Sequence, residues 1–236
     1  MKIVLDAGHG YNTKGKQSPN GIKEYEINRA IAIYTRELLQ SYKNVTVIFS
    51  HSDERDIPLK ERSTIANVQK ADCFISIHAN ASGDGATWNV ANGIETFIFT
   101  SASPKARSLA EKTQKNLIAA TGLKNRGVKT ANFQILRETN MPAILIECGF
   151  MTHQTEVQLL RSETYQKTCA EAIAKSIVEE FKLEKKPQAV SLNPSTSQGI
   201  YKVQVGTFQS KQNATALANK LKALGYNPYI IFEKNK

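Results

Sequence analysis

The chain has 236 residues, of which 41% are hydrophobic and 22% charged, a composition typical of an ordinary folded globular protein. Its formal net charge of +10 favours a polyanionic partner, such as nucleic acid, an anionic membrane or an anionic cell-wall polymer. Half of that charge lies in residues 200–236, where six lysines accompany a single acidic residue.

The cysteines and the first residues exclude several further classes of protein. Three cysteines at wide spacing, Cys73, Cys148 and Cys169, form neither a disulfide framework nor a CxxC metal site, so we expect reduced, buried thiols. The opening segment MKIVLDAGHG enters a strand at once and lacks the apolar segment of a signal peptide. No apolar run approaches the length that spans a membrane.

Apolar runs alternate with segments of helical periodicity along residues 2–183. We predict five strands, at residues 2–7, 44–50, 72–77, 94–100 and 143–147. We predict four long helices, at residues 24–42, 58–69, 103–121 and 164–183. This alternation predicts an α/β domain with a doubly wound, largely parallel sheet and helices on both faces.

The composition changes after Leu183. Residues 184–199, EKKPQAVSLNPSTSQG, are rich in Pro, Ser, Asn and Gln and predict a flexible linker. Residues 200–236 then predict a small separate βαβ module, with a strand at 201–208, a helix at 211–225 and a strand at 226–232.

Three of the predicted strands end in a residue that can bind a metal or titrate: His9, His78 and Glu147. Ligands of open α/β sheets bind at the carboxyl ends of parallel strands, so we expect these residues to meet at one edge. Glu24, at the start of the first helix, can reach back to His9. Two imidazoles and a carboxylate are a typical catalytic zinc set, and a further carboxylate, Glu147, is what a general base requires.

Each of these residues has a plainer interpretation when it is taken alone. His9 is then a loop histidine, His78 a core histidine bonded to backbone, and Glu24 an acid favoured by the helix dipole. Glu147 is harder to explain away, because its neighbours are so apolar. We expect the other two histidines, His51 and His153, to be surface residues.

Several segments together carry a resemblance to a known family. They are LDAGHG (5–10), Glu24 with Asn28, ERSTIAN (61–67), FISIHANA (74–81), NGIETF (92–97) and ILRETNMPAILIECGFMTH (135–153). In this order and spacing, over residues 2–182, the chain resembles the zinc-dependent N-acetylmuramoyl-L-alanine amidases of the Amidase_3 type. Residues 201–226 resemble the front of a SPOR domain, a peptidoglycan-binding module whose βαββαβ unit is here reduced to βαβ.

The resemblance implies one zinc per chain, bound by His9, Glu24 and His78, with Glu147 as the catalytic residue. It implies hydrolysis of the amide between N-acetylmuramic acid and the L-alanine of the stem peptide in bacterial peptidoglycan. The family usually has Asn where this chain has His153. Without a signal peptide, we expect the protein to be made in the cytoplasm and to act at the wall after release, as a phage endolysin or an autolysin.

We further expect three residues to contact substrate, with residues 81–92 as a cleft wall: Asn80, Trp88 and Arg137. Three residues of the tail are expected to bind the wall: Tyr201, Gln204 and Phe208. The partners that we predict are peptidoglycan and anionic wall polymers, with neither nucleic acid nor a membrane span, and with weak pairing of two tails.

Two alternatives differ in chemistry from the zinc amidase. The first is a Cys–His hydrolase with Cys148 as nucleophile and His78 as base. Because adjacent strand residues point to opposite faces, a Glu147 that faces the cleft would turn Cys148 into the core. The second alternative is a non-catalytic wall-binding or nucleic-acid-binding protein on an amidase scaffold, against which all four chemical positions are filled.

Overall fold

The first strand, KIVLDA, is buried except at its first residue, and it lies inside the sheet. A computed structural model describes residues 1–12, 17–187 and 205–232. Its contacts divide the chain into two units, Met1–Gln188 and Ala189–Lys236, and each unit is described by itself.

The first unit is built on one sheet of six strands in the order β2-β1-β3-β6-β4-β5. They are β1 (Lys2–Ala7), β2 (Thr46–Phe49), β3 (Cys73–Asn80), β4 (Ile94–Ile98), β5 (Asn125–Thr130) and β6 (Ala143–Phe150). Strands β2, β1, β3 and β6 are mutually parallel. Strand β4 is antiparallel to β6 and parallel to β5. The predicted α/β class and the largely parallel sheet are therefore confirmed.

Helices cover both faces of this sheet, as a largely parallel sheet requires. They are α1 (Glu24–Leu39), α2 (Leu59–Val68), α3 (Pro104–Thr121), α4 (Gln134–Arg137), α5 (Gln154–Arg161) and α6 (Glu163–Phe181). The larger core joins α1, α3 and α6 to the sheet, and the smaller core joins α2 and α4 to the other face. Along β6, Ile144 and Ile146 enter the larger core and Leu145 enters the smaller one, the alternation expected of a strand.

The structure differs from the sequence prediction at several strands. Strand β3 continues past His78 to Asn80, and β6 continues past Glu147 to Phe150, so both residues lie within strands. Strand β5 was not predicted, because its sequence NRGVKT has a glycine and few β-formers. It forms because β4 offers it an edge with which to pair.

The predicted linker begins too early. The backbone N–H of Lys186 donates to Ser41 O at 2.8 Å, and that of Lys43 donates to Glu184 O at 2.8 Å. Residues 184–186 thus belong to the first unit, held by hydrogen bonds that composition alone does not reveal. Residues 188–199 of the predicted linker lie outside the described residues.

In the second unit the structure describes one helix, α7 (Lys211–Ala223), where a helix was predicted. The strand predicted at 226–232 is absent, and residues 205–232 contain no strand. A strand satisfies its backbone groups only through a neighbouring strand, and this stretch of described chain has none. Tyr201 and Gln204 lie outside the described residues. Within the described ranges, no helix is long and apolar enough to cross a membrane.

Candidate metal centre and catalytic cleft

The loop that follows β1 places His9 at the carboxyl edge of the sheet. His9 adopts a left-handed backbone conformation with φ 65°, which is uncommon for a residue with a side chain. Two contacts hold it: Gly8 N donates to Ile77 O at 2.9 Å, and the buried guanidinium of Arg62 donates to the carbonyl oxygen of His9. Gly8 is required by close approach, because a Cβ at this position would overlap the His78 ring.

A buried ion pair holds the Arg62 guanidinium in place. Arg62 Nη1 lies 2.8 Å from Asp6 Oδ1 and donates to Ala7 O at 2.6 Å, and Arg62 Nε donates to Ile57 O at 2.8 Å. Burial would raise the pKa of Asp6, but Arg62 and the Ser76 hydroxyl lower it below its usual value. Asp6 is therefore a charged carboxylate that fixes the base of the loop.

Glu24, the first residue of α1, joins the two histidines. Its carboxylate is 4% exposed, with Oε2 at 3.0 Å from His9 Nε2 and Oε1 at 2.9 Å from His78 Nδ1. The same Oε1 accepts hydrogen bonds from Ala79 N at 3.1 Å and from Asn28 Nδ2 at 3.2 Å. Burial would raise the pKa of Glu24, but its hydrogen bonds with His78 and His9 lower that pKa to about 2.

The other ring nitrogen of His78, Nε2, also has a hydrogen-bond partner. His78 Nε2 lies 3.1 Å from Ser76 Oγ, which donates its one proton to Asp6 Oδ2 at 2.7 Å. Ser76 can therefore only accept from His78, so Nε2 carries a proton, and Nδ1, which lies against Glu24 Oε1, is the ring nitrogen that a metal would use. A histidine that ligates a metal usually donates its other N–H in this way.

The three side chains fit a zinc ion. One donor atom from each of His9, Glu24 and His78 lies within 4.8 Å of the others. Two imidazoles and one ionised carboxylate leave the fourth position of a tetrahedral zinc open, as in catalytic zinc sites. The sequence prediction thus named three residues that the structure brings together.

Glu147 lies beside this group and not within it. On the sheet it is the register partner of His78 on β3 and of Glu95 on β4, so all three side chains leave the same face. Adjacent strands are about 4.8 Å apart. Glu147 is partly exposed and stands one strand away from the His78 ligand.

The other residues named from the sequence have mixed placements. Asn80 donates its amide to Glu95 at 2.8 Å. Trp88 is 38% exposed in a segment anchored where Asn89 N donates to Thr152 O at 2.9 Å. Arg137 donates to Asn132 Oδ1 at 2.6 Å and is tied to its own loop. Phe208, in the second unit, is exposed.

Two histidines are not the surface residues that we expected. His51 accepts a hydrogen bond on Nδ1 from Ala7 N at 3.0 Å, and burial lowers its pKa to about 4. His153 is the N-cap of α5, with Nδ1 accepting from Glu156 N at 3.3 Å. Both are partners of backbone N–H groups, a role that spacing in a polar loop does not reveal.

The sequence analysis also missed the residues that support the ligands. These are Asp6, Asn28, Arg62 and Ser76. The available signal was the quoted segments themselves, since LDAGHG contains Asp6 and ERSTIAN contains Arg62, but nothing in the spacing said which atoms these side chains would contact.

The Cys–His hydrolase is excluded by the position of Cys148. Its side chain is fully buried in the larger core, on the sheet face opposite Glu147. A contact with Cys169 and burial raise the pKa of the Cys148 thiol well above its usual value. A thiol without access to the cleft and without thiolate character is not a nucleophile.

Comparison with known proteins identifies the family. Residues 3–179 match the N-acetylmuramoyl-L-alanine amidase family and residues 170–234 match the SPOR domain. The chain is 32% identical over 233 residues to the N-acetylmuramoyl-L-alanine amidase CwlM of Bacillus licheniformis, covering 98% of this chain and 85% of that protein. It is 31% identical over 234 residues to the sporulation-specific amidase of Bacillus subtilis, covering 99% and 85%.

A solved structure agrees with these sequence relatives. The crystal structure of an N-acetylmuramoyl-L-alanine amidase from Clostridium difficile 630 superposes with a TM-score of 0.73 at 37% identity, covering 77% of this chain and 96% of that one. These matches support the hydrolase over a non-catalytic scaffold. This chain belongs to the N-acetylmuramoyl-L-alanine amidase family.

Proposed function

We propose that this protein hydrolyses the amide between N-acetylmuramic acid and the L-alanine of the peptidoglycan stem peptide, with one zinc ion held by His9, Glu24 and His78. Membership of the amidase family supports the reaction. The observation that carries the assignment of residues is the buried Glu24 carboxylate, bonded to both imidazoles at 3.0 and 2.9 Å. When bound, zinc supplies Lewis-acid polarisation of a carbonyl and lowers the pKa of a water molecule.

Three features of the chain keep the ligands in place. Arg62 fixes the His9 loop through Asp6, Ser76 fixes the tautomer of His78, and Ala79 N fixes Glu24. The contacts of Arg62 and Ser76 leave His9 Nε2, His78 Nδ1 and both Glu24 oxygens unused, and Ala79 N occupies only one position on Glu24 Oε1. The site is thus held ready for the ion before it binds, which lowers the cost of binding.

Glu147 moves the protons of the reaction. It accepts one proton from the attacking water as the new carbon–oxygen bond forms at the scissile carbonyl. It then delivers that proton to the alanine nitrogen as the carbon–nitrogen bond breaks. The second proton of the water passes from the new carboxyl group to the released amine, so the products are a lactyl carboxylate on the sugar and a stem peptide with a free ammonium group. A residue that serves as base and then as acid must exchange its proton readily.

The tail extends the proposal to wall binding. The SPOR match over residues 170–234 and the lysine excess of residues 200–236 support retention on peptidoglycan and on anionic wall polymers. Trp88 stays our proposed sugar-stacking residue, since its ring is exposed. We propose that the protein acts at the cell wall.

The test uses digestion of purified peptidoglycan followed by mass spectrometry. We expect stem peptides with a free N-terminal alanine, loss of activity with a chelator, and recovery when zinc is returned. Metal analysis of the purified protein should find about one zinc per chain, the stoichiometry of a three-ligand catalytic site. Activity that survives complete metal removal would refute the zinc mechanism, and muropeptides cleaved elsewhere would refute the substrate bond.

A further inference from the structure

The row of side chains that contains His78 and Glu147 continues onto the next strand. Glu95 on β4 is the register partner of Glu147, and it leaves the same face of the sheet. Two glutamates opposite each other on neighbouring strands repel one another. The reaction proposed above assigns no task to Glu95.

Every oxygen of the Glu95 carboxylate is occupied. Oε1 accepts from Asn80 Nδ2 at 2.8 Å, and Oε2 accepts from Arg126 Nε at 2.7 Å and from Lys129 Nζ. The Glu95 side chain is only 5% exposed. It is therefore neither a base nor a metal ligand, and its visible work is to hold two cations of β5.

Arg126 and Lys129 together carry more positive charge than the Glu95 carboxylate neutralises. One cation neutralises one carboxylate, so the two cations together carry one positive charge more than Glu95 alone neutralises, in the row that also contains Glu147. Their side chains are 28% and 40% exposed, so part of each stays accessible to a ligand while it pairs with Glu95. Arg126 Cζ also lies 4.8 Å from the centroid of the Phe150 ring, a cation–π contact that helps to hold the guanidinium. A fixed, partly exposed pair of cations is an anion-binding arrangement.

We propose that Arg126 and Lys129, positioned by Glu95, bind a free carboxylate of the stem peptide. This deepens the proposed function and rests on it. In the substrate the lactyl carboxyl is itself the scissile amide, so free carboxylates belong to the peptide. Glu95 is two strands from His78, about 10 Å at 4.8 Å per strand. An extended peptide advances about 3.5 Å per residue, so this distance reaches the second or third residue after the bond.

The test compares two soluble substrates in the full-length zinc enzyme. One is an N-acetylmuramoyl tripeptide with a free carboxylate on its second residue, and the other carries an amide there. We expect wild type to prefer the free carboxylate by about 10-fold or more in kcat/KM, the scale of a charge-assisted hydrogen bond. Lys129→Gln and Arg126→Gln should each reduce that preference by raising KM for the carboxylate substrate, and Lys129→Arg should restore part of it.

Each single variant leaves one cation on Glu95, so the fold is kept. Lys112→Gln is the matched control, because Lys112 pairs with the partly buried Glu180 at 2.5 Å and is 38% exposed, close to the exposure of Lys129. We expect it to leave the preference intact. Equal cleavage of both substrates by wild type would overturn the carboxylate site while leaving the amidase intact. Cleavage of neither would instead refute the proposed function. Variants that slow both substrates equally would make the two cations structural.

Discussion

Replacing Glu147 and Glu24 in turn separates the proton-transfer role from the ligand role. Glu147→Gln keeps the side-chain volume in β6 and removes the ability to accept a proton. General-base catalysis contributes about 10²–10⁴-fold. Because the same group also protonates the leaving amine, we expect the loss in kcat to reach the upper end of that range.

The same two substitutions differ in their effect on zinc. Glu147→Gln leaves all three ligands, so its zinc content should equal that of wild type. Glu24→Gln removes the charge that lies 3.0 Å from His9 Nε2 and 2.9 Å from His78 Nδ1. Loss of one of three ligands should weaken zinc retention together with activity.

The assay measures bound metal by mass spectrometry and turnover by dye release from labelled walls, on both variants in parallel. Folding is checked by thermal unfolding of each variant. If Glu147→Gln loses zinc while Glu24→Gln retains it, the two carboxylates are assigned the wrong way round. If Glu147→Gln hydrolyses walls at near the wild-type rate, the reasoning from strand register to general base is wrong.

Three further predictions concern a close backbone contact, a buried histidine and the tail. Gly8→Ala places a Cβ into the His78 ring. We therefore expect the free energy of unfolding to fall by about 1–3 kcal/mol, as in overpacked cores, and the zinc content to fall with it. A wild-type zinc content in this variant would contradict the contact. The folded pKa of His51, about 4, lies below its ordinary value of 6.5, so stability is fully present above pH 6.5 and falls as the pH drops towards 4. The free energy of unfolding should fall by at most about 3 kcal/mol. Denaturant unfolding at pH 7 and at pH 4.5 should show this fall in wild type and not in His51→Gln. Removing residues 189–236 should spare turnover of small soluble muropeptides and weaken retention on whole walls, most visibly at low salt; equal retention would remove the tail from the proposal.

Much of the fold is readable from the sequence because local pattern and tertiary role agree there. The strands β1, β3 and β6 are apolar on both faces, and their helices carry a clear 3.6-residue period, so a parallel sheet follows. The direction of β4 does not follow, because Ile94–Ile98 reads as a strand in either orientation. Only its pairing with β6 decides, and that pairing is set by tertiary contacts.

The residues of the candidate site are likewise only partly predictable from the sequence. His9, His78 and Glu147 are polar residues that follow apolar strand residues, so the sequence marks them as costly to bury and the topology gathers them. The sequence does not single out Arg62 and Arg126 in this way, since a charged residue on a helix or an edge strand is ordinary. Their roles depend on which carboxylate the fold places opposite them, and spacing along the chain does not predict that carboxylate.

The partners of the three cleft carboxylates also bear on which of them moves protons. A general base must release its proton as well as take it, so its pKa has to lie near the working pH. Glu24 is buried, yet two imidazoles lower its pKa to about 2, and Glu95 is buried, yet Lys129 and Arg126 lower its pKa below the usual value. Both are held as permanent anions, one suited to a metal and the other to holding two cations. We therefore propose Glu147 for the proton transfer that hydrolysis requires, since by register it lies between His78 and Glu95.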